Sequence, residues 1–385
     1  MTEEGNHIID MFCGAGGLSL GFEMAKFRID LAIELEESYF RAYRRNHSET
    51  LTLNKDITLL NCEEISDKYL KYKEIDGIIG GPPCIGFSTV GNRRLDDPRN
   101  TLIFYFIQWV KYFKPKFFVM ENVPGILSMG KGKVVENVVN LYKEMGYNCK
   151  MEILLAADYG VPQLRQRVFF IGTQDKSVNS LTIQKTNKNN IAMKSDLGKN
   201  TFPSYLTVQD ALSDILKIKP LTKQRVENST INYNGSPLTQ YQEYLRENSD
   251  ELYDHFAPNH SEIVRKRMSH IDQGMNHSSL PKELQLKGGY PNIYGRLHLD
   301  SPADTITGNC GCVSAPGRFI HPTQNRAISI REAARLQSFP DRYKFYGTMK
   351  DKYKQVGNAV PPLMAYALAK SIKNMLQLEV TGKNI

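Results

Sequence analysis

The sequence predicts an α/β fold: a doubly wound, mostly parallel sheet joined to a second, smaller and irregular domain. Short apolar runs alternate with amphipathic stretches from residue 7 to about 173, the pattern of strands returned by crossover helices. Several of those runs are almost wholly apolar, as strands buried on both faces are. Past residue 173 the texture breaks, and a helical period returns only after residue 329.

In chain order, residues 7–12, 29–35, 77–80, 117–121, 150–155 and 167–171 read as strands. Residues 17–26, 37–47, 101–113 and 134–145 read as helices. The segment 174–200 is polar, rich in Asn and Lys and aperiodic, a surface linker. Residues 201–328 mix short pieces with many turn formers. Residues 330–338 read as a short helix stopped before Phe339-Pro340, and 361–376 as a longer one entered through prolines. The expected division is one domain of 1–173 plus 329–385, with the C-terminal helix packed back on it, and a second of 174–328.

A formal net charge of +8 favours polyanionic partners, because Lys and Arg displace phosphate counterions. The six cysteines are scattered, with no paired CxxC units and no His cluster at zinc spacing, which argues against a disulfide framework and a metal site. No run of about 18–20 apolar residues is present to span a membrane. The acidic start, MTEEGNHIIDMF, lacks the basic and apolar parts of a secretory signal. A soluble, cytoplasmic protein is expected.

Three strand ends carry candidate chemistry. Asp10-Met-Phe-Cys-Gly-Ala-Gly-Gly17 closes the first strand and opens a helix, and its glycines permit a tight turn and close approach to a ligand. Glu34 ends the next strand, where a carboxylate can bind ribose hydroxyls. On these features alone a ligand-free turn and a nicotinamide dehydrogenase both stay open, although GAGG is not the GxGxxG pattern. Gly80-Gly-Pro-Pro-Cys84 follows the strand 77–80, and two prolines pre-set the backbone before a cysteine at the sheet edge. A cysteine so placed suits nucleophilic attack by its thiolate, against the bland alternative of a buried structural thiol. Glu121 ends the strand after that, on the same edge, as a candidate acid. Arg165 and Arg167 alternate at the start of a further strand, where they would share a face and offer guanidinium forks.

Together these blocks resemble the cytosine-5 DNA methyltransferase family, of the bacterial or phage modification-methylase type. The resemblance rests on Asp10–Gly17 with Gly21-Phe22, on Gly81-Pro-Pro-Cys84-Ile-Gly-Phe-Ser88, on Glu121-Asn122-Val123 and on Gln163, Arg165 and Arg167. It continues in Arg331-Glu-Ala-Ala-Arg335-Leu-Gln-Ser-Phe-Pro340 and Gln355-Val-Gly-Asn358-Ala-Val360-Pro-Pro362. Six ordered blocks cover nearly the whole chain.

The resemblance implies a Rossmann-like methyltransferase fold with S-adenosylmethionine as cofactor and double-stranded DNA as partner. It implies that Cys84 adds to carbon 6 of a flipped-out cytosine while Glu121 holds N3 and the amino group. It gives Arg165 the cytosine carbonyl and makes Arg167 its support. Cofactor contacts would fall to Asp10, Phe12, Gly14, Gly16, Gly17, Leu18, Glu34, Asp56, Ile57, Pro83, Asn358 and Val360. DNA contacts would fall to Ser88, Arg93, Arg94 and Arg99 in a loop after Cys84, and to Arg296, Thr305 and Thr307. No metal is implied, and a monomer is expected. A restriction endonuclease of the same system is a possible functional partner, without a stable complex; solitary action is the other option.

One position departs from the family pattern: Ile85 stands where Gln usually follows the cysteine. Activity is expected to survive, with loop closure or DNA affinity altered. Two rival readings are a tRNA-methylating relative and a catalytically idle DNA-binding module. Gly86-Phe87-Ser88, where the tRNA branch carries Pro-Phe-Thr, disfavours the first, and the intact Cys84, Glu121 and arginines disfavour the second.

Overall fold

The computed structural model describes residues 6–71, 73–83, 101–186, 205–222, 229–286, 288 and 290–380. The chain divides into two compact units, one of 1–155, 166–184 and 365–385, the other of 156–165 and 185–364.

The first unit is built on β1 (His7–Met11), β2 (Arg28–Glu34), β3 (Leu51–Asn54), β4 (Gly77–Gly80), β5 (Phe117–Asn122) and β6 (Asn148–Leu155). β7 (Gln163–Leu164) lies in the other unit, and β8 (Gln166–Thr173) returns to the sheet. The sheet has seven strands in the order β3-β2-β1-β4-β5-β8-β6. β1 to β5 pair in parallel, and β8 runs antiparallel between β5 and β6. The mostly parallel, doubly wound expectation therefore stands. α1 (Gly17–Met24), α2 (Glu37–Asn46), the single turn α3 (Cys62–Ile65), α4 (Thr101–Phe113) and α5 (Lys133–Glu144) occupy the crossovers. Ile9, Met11, Leu31, Ile78, Phe118 and Phe170 project from the strands into one apolar core with Phe106, Val110 and Tyr142. On another side Phe22 and Phe27 meet the Phe117 ring, at 6.4 and 5.7 Å between centroids. β3 escaped the sequence reading because it is short and carries no fully buried residue.

The second unit contains α6 (Val208–Leu212), β9 (Thr230–Asn232), α7 (Gln240–Arg246), β10 (Glu251–Tyr253), α8 (Glu262–Met268), β11 (Gly295–Arg296), β12 (Ala303–Asp304), β13 (Arg318–Ile320), α9 (Ile330–Leu336) and α10 (Met349–Asn358). Its strands form only two-stranded pairs, β9 with β10, β11 with β13 and β7 with β12. Buried charge does much of the ordering. Arg335 is enclosed by Asp341 and Asp214, each at 2.6 Å, and Arg331 donates to the carbonyls of Tyr253, Pro340 and Tyr343. These partners explain why the boundary differs from the expected 173/174 and 328/329. Residues 329–364 group with the second unit because α9 spends its arginines there, and 156–165 follow because β7 pairs with β12.

Apart from its first three residues, α11 (Pro362–Val380) groups with the first unit. It packs on α1: a Cβ at Gly21 would lie 2.4 Å from the Ala365 Cβ and 2.6 Å from the Tyr366 nitrogen. Lys373 Nζ donates to the Ala25 carbonyl at 3.1 Å. Among the described residues, no helix is long and apolar enough to cross a membrane.

The packing of α11 on α1 and the burial of His321 are each open to test. Gly21→Ala forces α1 away from α11 and should lower the stability of the first unit by about 1–3 kcal/mol, read as a lower urea midpoint. The second concerns acid. His321 is fully buried, its Nδ1 accepts from the Thr323 and Gln324 backbone N–H groups, and its Nε2 stands 3.5 Å from Glu332. Burial holds the imidazole down to about 4, so the folded state resists a proton that the unfolded chain accepts near 6.5. Stability present above pH 6.5 should therefore fall as the pH drops towards 4, by on the order of 1–3 kcal/mol from this group. Urea titrations at pH 7 and pH 5 measure it.

Candidate active site

Parallel pairing sets one row of the sheet at Met11, Ile33, Gly80 and Met120. The next residues of those strands, Phe12, Glu34, Gly81 and Glu121, therefore emerge together at the carboxyl edge, where open α/β sheets bind ligands. A cleft lined by Glu23, Lys26, Arg28, His47 and Lys373 lies toward the opposite, amino end of β2. It holds no residue from the carboxyl end of a strand, so the carboxyl edge is the better candidate.

The glycine-rich loop turns through left-handed backbone at Phe12 (φ 58°), Gly14 (φ 57°) and Gly16 (φ 92°). Glu34 ties it down: Oε2 accepts from the Gly14 N–H and Oε1 from the Glu36 N–H, both at 2.8 Å. Burial raises the Glu34 carboxyl above its ordinary range, and these two N–H donors oppose the rise. Each oxygen keeps a lone pair for a further donor such as a ribose hydroxyl. Gly17 and Leu18 open α1, which has Gly16 as its N-cap and no side-chain cap. Its first-turn N–H groups suit a carboxylate. Asp10 is wholly buried beneath the loop, with Oδ2 accepting from Ser19 Oγ at 2.6 Å. Its Oδ1 has no hydrogen-bond partner among the described residues. Asp56 caps a short helical turn by accepting from the Thr58 N–H and hydroxyl, while Ile57 sinks into the core at 4% exposure. A nucleoside with a charged amino-acid tail fits this donor set.

At the next strand ends Glu121 Oε1 stands 2.9 Å from Arg167 Nε in a largely buried ion pair. The Nε is short of hydrogen-bond alignment, so the contact is chiefly Coulombic. Burial lowers the Arg167 guanidinium from its ordinary value, and Glu121 opposes that shift. The other Glu121 oxygen lies over Gly81, where any Cβ would approach it to 2.9 Å. A side chain at position 81 would therefore push the Glu121 carboxylate aside. Asn122, to which sequence reasoning gave no role, accepts from the Val123 N–H through Oδ1 at 2.9 Å and donates from Nδ2 to the Pro82 carbonyl at 3.2 Å. It fastens the end of β5 to the backbone two residues before Cys84. Pro83 is half-buried beside it. Cys84, Ile85, Ser88, Arg93, Arg94 and Arg99 lie outside the described residues.

The structure separates the two arginines that were expected to share a strand face. Arg165 falls between β7 and β8, is fully buried, and donates to the carbonyls of Ile306, Gly357 and Ala359 at 2.9–3.0 Å. Its terminal nitrogens are committed to backbone, so the expected reach to a substrate carbonyl is corrected; Arg167 is the arginine beside Glu121. Arg296 is corrected likewise. It is 5% exposed, and its guanidinium donates to the carbonyls of Ile271, Met268, His321 and Gln324 and to Asn325 Oδ1, which leaves it no phosphate role. The missed signal was the demand of an irregular unit for internal carbonyl partners.

Thr305 donates to the Leu164 carbonyl at 3.1 Å, and the Thr307 backbone packs against Gly357 so closely that a Cβ there would clash at 2.1 Å. Asn358 ends α10, Val360 is buried just beyond it, and both belong to the second unit.

A glycine-rich loop, a strand-end carboxylate and an acid–guanidinium pair on one carboxyl edge define an α/β enzyme that binds a nucleoside-type ligand beside a reacting group. The C-5 cytosine-specific DNA methylase family matches residues 6–374, and the chain belongs to it. It is 38% identical over 388 residues to the Type II methyltransferase M.DdeI of Desulfomicrobium norvegicum, covering 95% of this chain and 88% of that protein. It is 36% identical over 375 residues to M1.HphI of Haemophilus parahaemolyticus, covering 95% and 86%. A prophage-encoded protein of E. coli, described as a DNA modification methyltransferase, superposes with a TM-score of 0.76 at 29% identity, over 96% of this chain and 99% of that one. The protein is thus a cytosine-5 DNA methyltransferase, and the family implies use of S-adenosylmethionine.

The two arginines should respond differently to the same substitution. Arg165→Met strands three buried carbonyls and should cost roughly 3 kcal/mol or more of stability, read as a lower denaturation midpoint. Arg167→Met should lower kcat by at least about 10²-fold, with a smaller stability loss, when the folded fractions are compared.

Proposed function

We propose that this chain methylates carbon 5 of a specific cytosine in duplex DNA, the base being flipped out of the helix to reach the sheet edge. Cys84, two residues beyond the carbonyl held by Asn122, adds through its thiolate to carbon 6. Glu121 holds N3 and the amino group, so negative charge developing in the ring is met by a proton. Arg167 keeps Glu121 in place and offers its guanidinium to the cytosine carbonyl, the part first expected of Arg165. When bound, S-adenosylmethionine supplies a methyl group activated by its sulfonium. Asp10, Phe12, Gly14, Gly16, Gly17, Leu18 and Glu34 would hold it, with contributions from Asp56 and Pro83. Loss of the carbon-5 proton then lets the Cys84 sulfur leave.

The observation that carries this reading is the Glu121–Arg167 pair over Gly81 at the strand end next to the Pro82-Pro83 approach. We assign DNA reading to the second unit, where Arg265 and Lys266 are exposed on α8 and Thr305 and Thr307 are half-buried. Relatives named as Type II methyltransferases support a modification role, in a restriction–modification system or alone, in a bacterial cytoplasm. The chain is proposed to act as a monomer.

Incubation with radiolabelled S-adenosylmethionine and either duplex DNA or tRNA tests the substrate. Label should enter DNA only, and bisulfite sequencing of DNA from an expressing host should place 5-methylcytosine in one recurring sequence. Label confined to tRNA would contradict the proposal, and Cys84→Ser should abolish transfer.

A further inference from the structure

Beneath the cofactor loop runs a polar chain whose members Ser19, Tyr43 and His47 have no part in the proposed reaction. Asp10 Oδ2 accepts from Ser19 Oγ at 2.6 Å, and Ser19 Oγ stands 2.7 Å from the Tyr43 hydroxyl. All three residues are buried, at 0% exposure. The Tyr43 ring stacks on His47 with 4.2 Å between centroids, and His47 Nδ1 lies 2.9 Å from both Glu23 oxygens. Asp10 Oδ1 has no hydrogen-bond partner, and no Lys or Arg is ion-paired to Asp10, among the described residues. The titratable groups around it are Glu34 from the end of β2, Cys13 from the loop, Glu23 from α1, and Tyr43 and His47 from α2. An ionised carboxylate buried here with an unsatisfied oxygen is incomplete without a cation.

We propose that the Ser19–Tyr43 hydroxyl pair holds Asp10 as a charge sensor under the cofactor loop, through which the site distinguishes the sulfonium cofactor from its neutral thioether product. This rests on the functional reading above. S-adenosylmethionine and S-adenosylhomocysteine carry the same amino and carboxylate groups and differ by one methyl and one positive charge. In a buried setting that extra charge favours the ionised carboxylate. Binding of the sulfonium therefore drives the Asp10 proton to solvent, and binding of the thioether does not. Burial sets the free carboxyl at about 8; the Ser19 hydrogen bond opposes the rise, and Glu34 and Glu23 add to it. Burial also keeps the Tyr43 phenol protonated, so it donates to Ser19, which donates to Asp10, and both hydroxyl protons point toward the anion. Ser19 and Tyr43 are positioning residues in this account.

Isothermal titration of the full chain with each ligand from pH 6 to 9, in buffers of different ionisation enthalpy, tests it. The ratio of thioether Kd to sulfonium Kd should rise with pH by up to about tenfold per unit below pH 8 and flatten above. Near pH 7 the sulfonium should release close to one proton, about one more than the thioether. Asp10→Asn should flatten the ratio across the range. Tyr43→Phe keeps the ring on His47 and should move the rise to higher pH, and it serves as the test should Asp10→Asn fail to fold. Parallel profiles for the two ligands, an unchanged ratio in Asp10→Asn, or a Tyr43→Phe profile superimposable on wild type would each overturn the proposal. A chain that binds neither ligand would sink the functional reading with it, whereas parallel binding of both sinks this inference alone.

Discussion

Parallel strands of one sheet must finish on the same edge, and that constraint decides where the candidate site of this molecule lies. β1, β2, β4 and β5 are locked in a common row at Met11, Ile33, Gly80 and Met120. One residue further on, the chain delivers a glycine-rich turn, a carboxylate, a prolyl approach and a second carboxylate side by side. The apolar burial that drives the sheet together thus assembles the site as a by-product. Slipping any strand by one residue would turn Glu34 or Glu121 to the other face.

The edge is then tuned by contacts that neighbouring backbones make possible. Glu121 lies over Gly81, which presents no Cβ to displace it, and Arg167 reaches it because β8 runs antiparallel beside β5. Asn122 ties the same two strand ends together through Pro82. In the second unit, where no large sheet forms, arginines take over the organising work. Arg165, Arg296, Arg331 and Arg335 are buried and turned inward onto carbonyls and carboxylates. Each of these guanidiniums, removed, would strand several buried acceptors.

Much of the first unit was legible in the sequence because its strands are apolar runs bounded by Gly and Pro, and the helix 101–113 was placed to the residue. Asp10, Glu34 and Glu121 stood out for the same reason: each lies within the last two residues of a strand, where an apolar run ends. The division of labour between Arg165 and Arg167 was not legible. Alternation in sequence suggests a shared face, but the strand breaks at 165, and what each guanidinium meets depends on residues more than 100 positions away or on a neighbouring strand. Arg296 misled in the same way, since an Arg bound to DNA phosphate and an Arg caging five internal acceptors look alike in a sequence. Ser19 and Tyr43 gave no signal, because their pairing needs α1 and α2 brought over β1.

The central proposal is that Cys84 attacks cytosine and that the Glu121–Arg167 pair at the carboxyl edge of the sheet assists it. Its most direct test is mass spectrometry of the protein incubated with S-adenosylmethionine and a duplex that carries 5-fluorocytosine at the methylated position, where the missing carbon-5 proton prevents release. The account predicts a stable protein–DNA adduct whose cross-linked peptide contains Cys84. An adduct at another residue, or none under conditions that methylate ordinary DNA, would contradict it.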